Sequence, residues 1–428
     1  MKKLITIMMA LLVMLSITGC GGKSNGSNIK ASISVQVEKP WMPYYEAVKE
    51  RVLAKNPDAE IKFIEVGSFD MLDTLDKTDP TNPDIADVFS MPADRLYGLV
   101  DNNAIAAIDA ETMAKEVGGF KDFKAGLGGN LKVGEDYFAF PYNIETLLLY
   151  VNKANAAAAG VDLTKSFEFN SQKFGEMIVA VHDAWFGVAF ANSAEFELLK
   201  KDGKELKTDA IKNYSDLSEK QKGLFDSLYN YWKENAKNKT ALWDKDAWGG
   251  YAEGEFVKEG GAIFRIDGPW ATVGIQEKIG ADNVVALPLT QVTVNGNALN
   301  QWKGGWGLAI NSRIEEKANE SALAKEFIKE VVNPKYAQDL FKATGKIIEN
   351  VEPSAYKGIG GINEEVINAT YKSYEQAVNR PLFKEYGNVW PTWQNALLSW
   401  SAQQPANSEE AYKIVKSSFE AMMATIKK

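Results

Sequence analysis

The sequence predicts an α/β protein made of one α/β lobe, a second α/β lobe and a mostly helical C-terminal third. Strand-like and helix-like patterns alternate through Lys153, the mark of a mainly parallel sheet with crossover helices. Strand character returns at residues 262–266, 284–289 and 306–310, after a long polar interval. The chain of 428 residues also exceeds what one domain usually holds, about 100–200 residues.

The elements follow in order. Residues 33–37 alternate as a strand, and 44–55 have helical spacing that stops at Asn56-Pro57. A second strand is expected at 60–66. Residues 85–89 read as a third, leading into a helix near Pro92, whose fixed φ suits a first helical position. Segments 138–140 and 146–151 are apolar strand candidates, and 171–183 turn helical. Residues 201–247 are polar and Lys-rich, with their best helix at 218–235. Helices are then expected at 315–332, 336–344, 364–378, 391–400 and 408–426. There is no internal repeat.

The N-terminus reads as an export signal. Lys2 and Lys3 precede an apolar run from Leu4 to Ile17, too short for a spanning helix of roughly 20 apolar residues. Its end, Leu15-Ser16-Ile17-Thr18-Gly19-Cys20, resembles the lipobox of bacterial lipoproteins, which implies that Cys20 is acylated and anchors the mature chain. Residues 1–19 are then the signal peptide, and 20–30 the lipidated cysteine with a polar, flexible tether.

Composition excludes several chemistries. Cys20 is the only cysteine, so no disulfide framework or cysteine metal site is available. His182 is the only histidine, which leaves zinc hydrolases and His-based triads little to build on. Without Lys2 and Lys3 the exported part carries 46 basic against 57 acidic side chains, a net −11, and only five arginines. An acidic chain without a basic cluster argues against nucleic acid. No cofactor or metal is expected. Eleven Trp, 20 Phe and 16 Tyr are many for a soluble chain, and several stand beside Gly or Pro in turns. Flat rings there suit ligands with apolar faces and polar rims.

In open α/β sheets ligands bind beyond the carboxyl ends of strands. Ser90-Met91-Pro92-Ala93-Asp94-Arg95 lies at one such end, and a carboxylate beside a guanidinium offers the acceptors and donors that sugar hydroxyls need. Phe264-Arg265-Ile266-Asp267-Gly268-Pro269-Trp270 ends a second strand with Trp270 in the following helical turn. In Trp390-Pro391-Thr392-Trp393, the residues Trp393, Leu397 and Trp400 form one helical face, usually core, yet Trp390 or Trp393 can face a cleft from the helix start. Trp41, between Pro40 and Pro43, and Trp306, in Lys303-Gly304-Gly305-Trp306, are further rings at strand ends or turns.

These segments resemble the family 1 extracellular solute-binding proteins of bacteria, the group with the maltose and maltodextrin receptors of ABC importers. Asn82-Pro83-Asp84-Ile85 with Asp94-Arg95 is similar to the family's "GPDI … DR", and Phe140-Pro141-Tyr142-Asn143-Ile144-Glu145 with Tyr150-Val151-Asn152-Lys153 to its crossing strand. Asp267-Gly268-Pro269-Trp270 resembles "NGPW". The resemblance implies a type II periplasmic-binding fold: lobe I from 31–145 plus 303–350, lobe II from 146–302 plus 351–428, and a hinge of crossing segments. It implies sugar contacts from Asp94, Arg95 and Glu145, stacking from Trp270 and Trp393, and looser roles for Glu38, Trp41, Asp70 and Glu195-Phe196. The expected ligand is a maltodextrin. The expected partners are ABC permease subunits and a membrane, the latter through the lipid anchor, and a monomer is expected.

Two rivals remain at this level. A lipid-anchored glycoside hydrolase would need two opposed carboxylates about 5–10 Å apart, for which Asp94, Glu145 and Glu195 are candidates. A receptor for another glycan, a polyol or a peptide is the other. Gly22-Lys23-Ser24-Asn25-Gly26 matches G-x-S-x-G but lacks the strand and helix that motif requires. Residues 244–255 nearly spell a calcium loop, but Trp248 stands where an oxygen ligand belongs. His182 reads as structural.

Overall fold

The computed structural model describes residues 28–426; the export signal, Cys20 and the G-x-S-x-G match lie outside the described residues. In chain order the principal strands are β1 (Ser32–Val37), β2 (Glu60–Glu65), β3 (Val88–Pro92), β4 (Ala139–Glu145), β5 (Leu148–Asn152), β6 (Met177–Ile178), β7 (Phe264–Asp267), β8 (Val284–Pro288), β9 (Trp302–Ile310) and β10 (Ile347–Ile348). They form two sheets. One runs β10-β4-β9-β3-β1-β2, the other β8-β5-β7-β6.

Each sheet is the spine of a lobe. β1 pairs in parallel with β2 and β3, as helices Met42–Lys55 and Ser68–Lys77 cross between them. The sheet is mixed rather than mainly parallel, because β9 runs antiparallel to both β3 and β4. In the second sheet β5 is antiparallel to β7 and β8, and β7 is parallel to β6.

The chain crosses between sheets at Thr146-Leu147, the two residues that separate β4 from β5. Both residues are fully buried, so the crossing is packed rather than loose. A core containing Val35, Phe140 and Trp306 continues into Tyr150 and Ala286 of the second sheet. A separate core around Phe190, Phe225, Trp393 and Tyr412 belongs to the second lobe.

Several expected boundaries move. No helix covers 171–183. Met177–Ile178 joins β7, and the helix starts at Ala184, capped by Asp183 accepting the Trp185 N–H. Pro92 ends β3 instead of starting a helix; a 3₁₀ turn, Ala93–Arg95, leads into helix Leu96–Asp101. The helix expected at 218–235 forms as Glu219–Lys237, with Ser218 and Gln221 closing a capping box. Among the described residues no helix is long and apolar enough to cross a membrane.

Candidate functional site

The carboxyl ends of β1, β3 and β4 lie on one edge of the first sheet, where the chain crosses to the second. Trp41 follows β1 in a 3₁₀ turn and is 8% exposed. Trp306, within β9, is 7% exposed, and its indole nitrogen has no hydrogen-bond partner. Between these rings lies a residue absent from the sequence reading, Lys346. Its ammonium is 4.6 Å from the Trp41 ring centre, 4.9 Å from Trp306 and 5.1 Å from Tyr142. Rings at such distances attract a cation without neutralising it. Burial pushes the Lys346 ammonium below its usual range, while Glu145 and Glu38 push back.

Glu145 ends β4 at the crossing. Burial pushes its carboxyl up, Lys346, Arg380 and the nearby Trp306 indole N–H, which is close but not aligned for a hydrogen bond, pull it down, and Asp94 adds to the rise. Beside it Gly304 is required by space, since a Cβ there would lie 2.5 Å from the Trp185 ring and 3.0 Å from Glu145 Cγ. The missing side chain lets a tryptophan of lobe II lie against the hinge strand.

Asp94 is engaged where the sheets meet. Its Oδ2 accepts the Trp390 Nε1–H at 2.9 Å, and its Oδ1 is 2.8 Å from Arg380 Nη2, an ion pair without hydrogen-bond alignment. Arg380, also missed from the sequence, is ringed by Trp185 at 5.1 Å, Trp390 at 5.3 Å and Trp302 at 6.0 Å. Its Nε and Nη1, like Trp185 Nε1, are buried without partners. This junction therefore holds unused donors from both lobes, which a buried site normally satisfies.

Other expected residues fall less uniformly. Trp270 is 40% exposed and lies over Gly268, where a Cβ would be 2.1 Å from its ring. Its turn abuts Gly345, next to Lys346: a Cβ on Gly345 would meet Pro269 O and Trp270 Cα. Asp267 bonds Arg265 and the Gly268 N–H, so it shapes the turn. Asp70 is exposed in the first turn of helix Ser68–Lys77.

Three expectations are corrected. Arg95 is turned away from Asp94 and pairs with Asp76 on helix Ser68–Lys77, so Arg380 supplies the guanidinium beside Asp94. Trp393 is not a cleft ring. It is fully buried, donates Nε1–H to Val181 O at 2.9 Å, and packs against Gly187. Trp390, three residues and most of a turn earlier on the same helix Val389–Leu398, is the one that reaches Asp94. Glu195 and Phe196 also leave the site: Glu195 pairs with Lys220 at the surface and Phe196 is core. His182 is buried against Leu242 O, and Asp244 caps a turn by accepting the Asp246 and Ala247 N–H groups. A shallow groove of about 250 Å³ near Glu111, Phe120 and Lys124 lies apart from all these residues.

The missed residues carried faint signals. Arg380 is one of five arginines and precedes a proline in a loop; Trp185 directly follows a helix-capping Asp and Ala184. Lys346 had none, because only folding brings Trp41 and Trp306 to it.

The profile described as "Bacterial extracellular solute-binding protein" matches residues 47–366. No curated protein matches the sequence. The fold is similar to that of MalX from Streptococcus pneumoniae in complex with maltopentaose, at TM-score 0.70 and 18% identity, covering 92% of this chain and 100% of that one. It is also similar to the Thermus thermophilus maltotriose binding protein bound with maltotriose, at TM-score 0.66 and 16% identity, covering 92% and 100%. A third likeness is to the maltose-binding periplasmic protein MalE from Listeria monocytogenes in complex with maltose, at TM-score 0.63 and 18% identity, covering 91% and 97%.

Proposed function

Because the chain belongs to the bacterial extracellular solute-binding proteins, we propose that it captures an oligosaccharide between its lobes, malto-oligosaccharides first. The observation that carries this reading is the cluster where the two sheets meet, in which Trp41, Trp306, Trp185 and Trp390 frame two caged cations and unpartnered donors. Rings cover the apolar faces of sugar units, and charged groups hydrogen-bond their rims. Trp270, exposed at the mouth, stacks from lobe II. The ligands in the similar folds point to the glucan class.

The lobes close on the sugar by bending at the crossing segments, as hinged binding proteins do. The family supports an extracytoplasmic location, and the lipobox-like ending at Cys20 supports a lipid anchor. The closed monomer would dock on an ABC permease. Hydrolysis is disfavoured by the carboxylates: Asp94 is committed to Arg380 and Trp390, and Glu195 pairs with Lys220 at the surface.

A thermal-shift screen against maltose, maltotriose, cellobiose and xylobiose tests the reading, since a ligand raises the melting point by mass action. A shift with the first two supports it. A shift with only the β-linked sugars moves the ligand to another glycan, and none with any of the four removes the sugar receptor.

A further inference from the structure

The segment from Arg380 to Glu385, between helices Ile362–Gln376 and Val389–Leu398, runs along the seam of the two lobes. Its start is pinned, because Val378 and Asn379 pair with Trp302 and Lys303 of β9. Pro381 keeps Arg380 before it out of the helical region, and Phe383 is extended at φ −154° and ψ 151°. Side chains along such a stretch point to opposite sides by turns. Arg380, Leu382 and Lys384 face the first lobe. Arg380 pairs with Asp94 at 2.8 Å, Leu382 packs against the core of Leu72, Phe89 and Leu96, and Lys384 pairs with Asp101 at the end of helix Leu96–Asp101. Phe383 and Glu385 face the second. Phe383 packs against the core of Tyr386 and Trp393, and Glu385 accepts from Lys201 Nζ at 2.9 and 3.0 Å.

Every one of these contacts is made by the chain's own side chains, so none requires a ligand. Parting the lobes strips Asp94, Asp101 and the Leu382 pocket from the segment, while Phe383 and Tyr386 stay with the second core. Asp94 also cannot offer its oxygens to a solute while Arg380 and Trp390 hold both. We propose that residues 380–385 are a built-in clasp that keeps the lobes together without ligand, so that release of the clasp limits entry of the solute. The open, binding-competent form is then a minor population, and apparent affinity is lowered by that fraction. Lys384–Asp101 is the outer catch, with side chains 64% and 48% exposed, and salt weakens it. The clasp rests on these contacts alone; its role as a gate rests on the receptor reading.

Small-angle scattering from the ligand-free protein tests the clasp without any sugar. The wild type is expected to be more compact than Leu382→Ser/Asp101→Lys and to change little when maltotriose is added, whereas the variant contracts. Stopped-flow fluorescence with maltotriose tests the gate. The wild-type rate is expected to level off with sugar concentration as opening becomes limiting, and the plateau to rise about tenfold in the double variant. Asp101→Lys alone, at an exposed position that leaves folding intact, is expected to raise it about threefold. Equal radii for the two ligand-free proteins overturn the clasp. A wild-type rate that never levels off, or plateaus within about twofold of each other, overturns the gate and leaves the receptor reading standing. A difference in radius with no response to maltotriose in either protein supports the clasp and sinks the receptor reading.

Discussion

Trp390 donates its indole N–H to Asp94 Oδ2 at 2.9 Å, and this bond joins the helix Val389–Leu398 of one lobe to the turn after β3 of the other. Arg380 adds the opposite charge on the second oxygen of the same carboxylate. Because both side chains of the ion pair are under 10% exposed, removing one partner leaves a buried charge unbalanced. Asp94→Asn is expected to cost about 3 kcal/mol, and Trp390→Phe about 1 kcal/mol for a single lost hydrogen bond. Urea unfolding checks both values. In the Asp94→Asn/Arg380→Gln double variant the loss is expected to be less than the sum of the singles, by about 1–3 kcal/mol.

Trp270 and Trp393 are expected to part company. Trp393 is fully enclosed, so Trp393→Ala opens a cavity and costs about 3–5 kcal/mol. Trp270→Ala is expected to change stability by about 1 kcal/mol or less, because much of the ring is already in water, yet to abolish the sugar-induced thermal shift. Melting curves with and without maltotriose separate the two effects.

Lys346 is expected to trade stability for binding. Its ammonium is buried among three rings and makes no ion pair among the described residues. Lys346→Met keeps the length and removes the desolvated charge, so unfolding free energy is expected to hold or rise by about 1 kcal/mol. Maltotriose affinity is expected to fall about tenfold, the loss of one charge-assisted contact. Calorimetry and urea midpoints on the same variant test both halves.

The pH profile is expected to hide two opposing slopes. Glu349 follows β10, accepts the Leu127 N–H and is pushed by burial up to about 7. The folded chain keeps a proton there that the unfolded chain releases, so stability falls as pH rises from 4.5 to 7, by on the order of 3 kcal/mol. Burial instead lowers His182 to about 4. The unfolded chain takes that proton first, so this contribution is full above pH 6.5 and lost as pH falls toward 4. The wild type is expected to vary little between pH 5 and 6.5. Glu349→Gln is expected to expose the His182 slope, with stability rising over that range in urea titrations. A flat profile in that variant would remove His182 as the cause.

The sequence made the strand ends legible because alternation and Pro/Gly punctuation are local. Trp41, Glu145, Trp270 and Trp390 were singled out that way; Trp41 and Glu145 adjoin Lys346, the Trp270 turn abuts Gly345, and Trp390 bonds Asp94. Residues 171–183 misled because a short aliphatic run serves a buried strand as well as a helix. Asp94-Arg95 misled differently: adjacent residues in a tight turn point apart, so Arg95 reaches back to Asp76 while a guanidinium 285 positions later in the sequence takes its expected place. Trp393 was ambiguous by helical spacing alone, and packing against Val181 and Gly187 decided it. Lys346 depends on contacts between distant segments, which no local pattern encodes.

Titrating maltotriose into the protein by isothermal calorimetry addresses the central claim most directly. One site per chain with a Kd on the order of 1 μM, weakened at least tenfold by Trp270→Ala, is the expected result. Absence of heat across that concentration range, or an affinity indifferent to Trp270, would contradict capture of a glucan between the lobes.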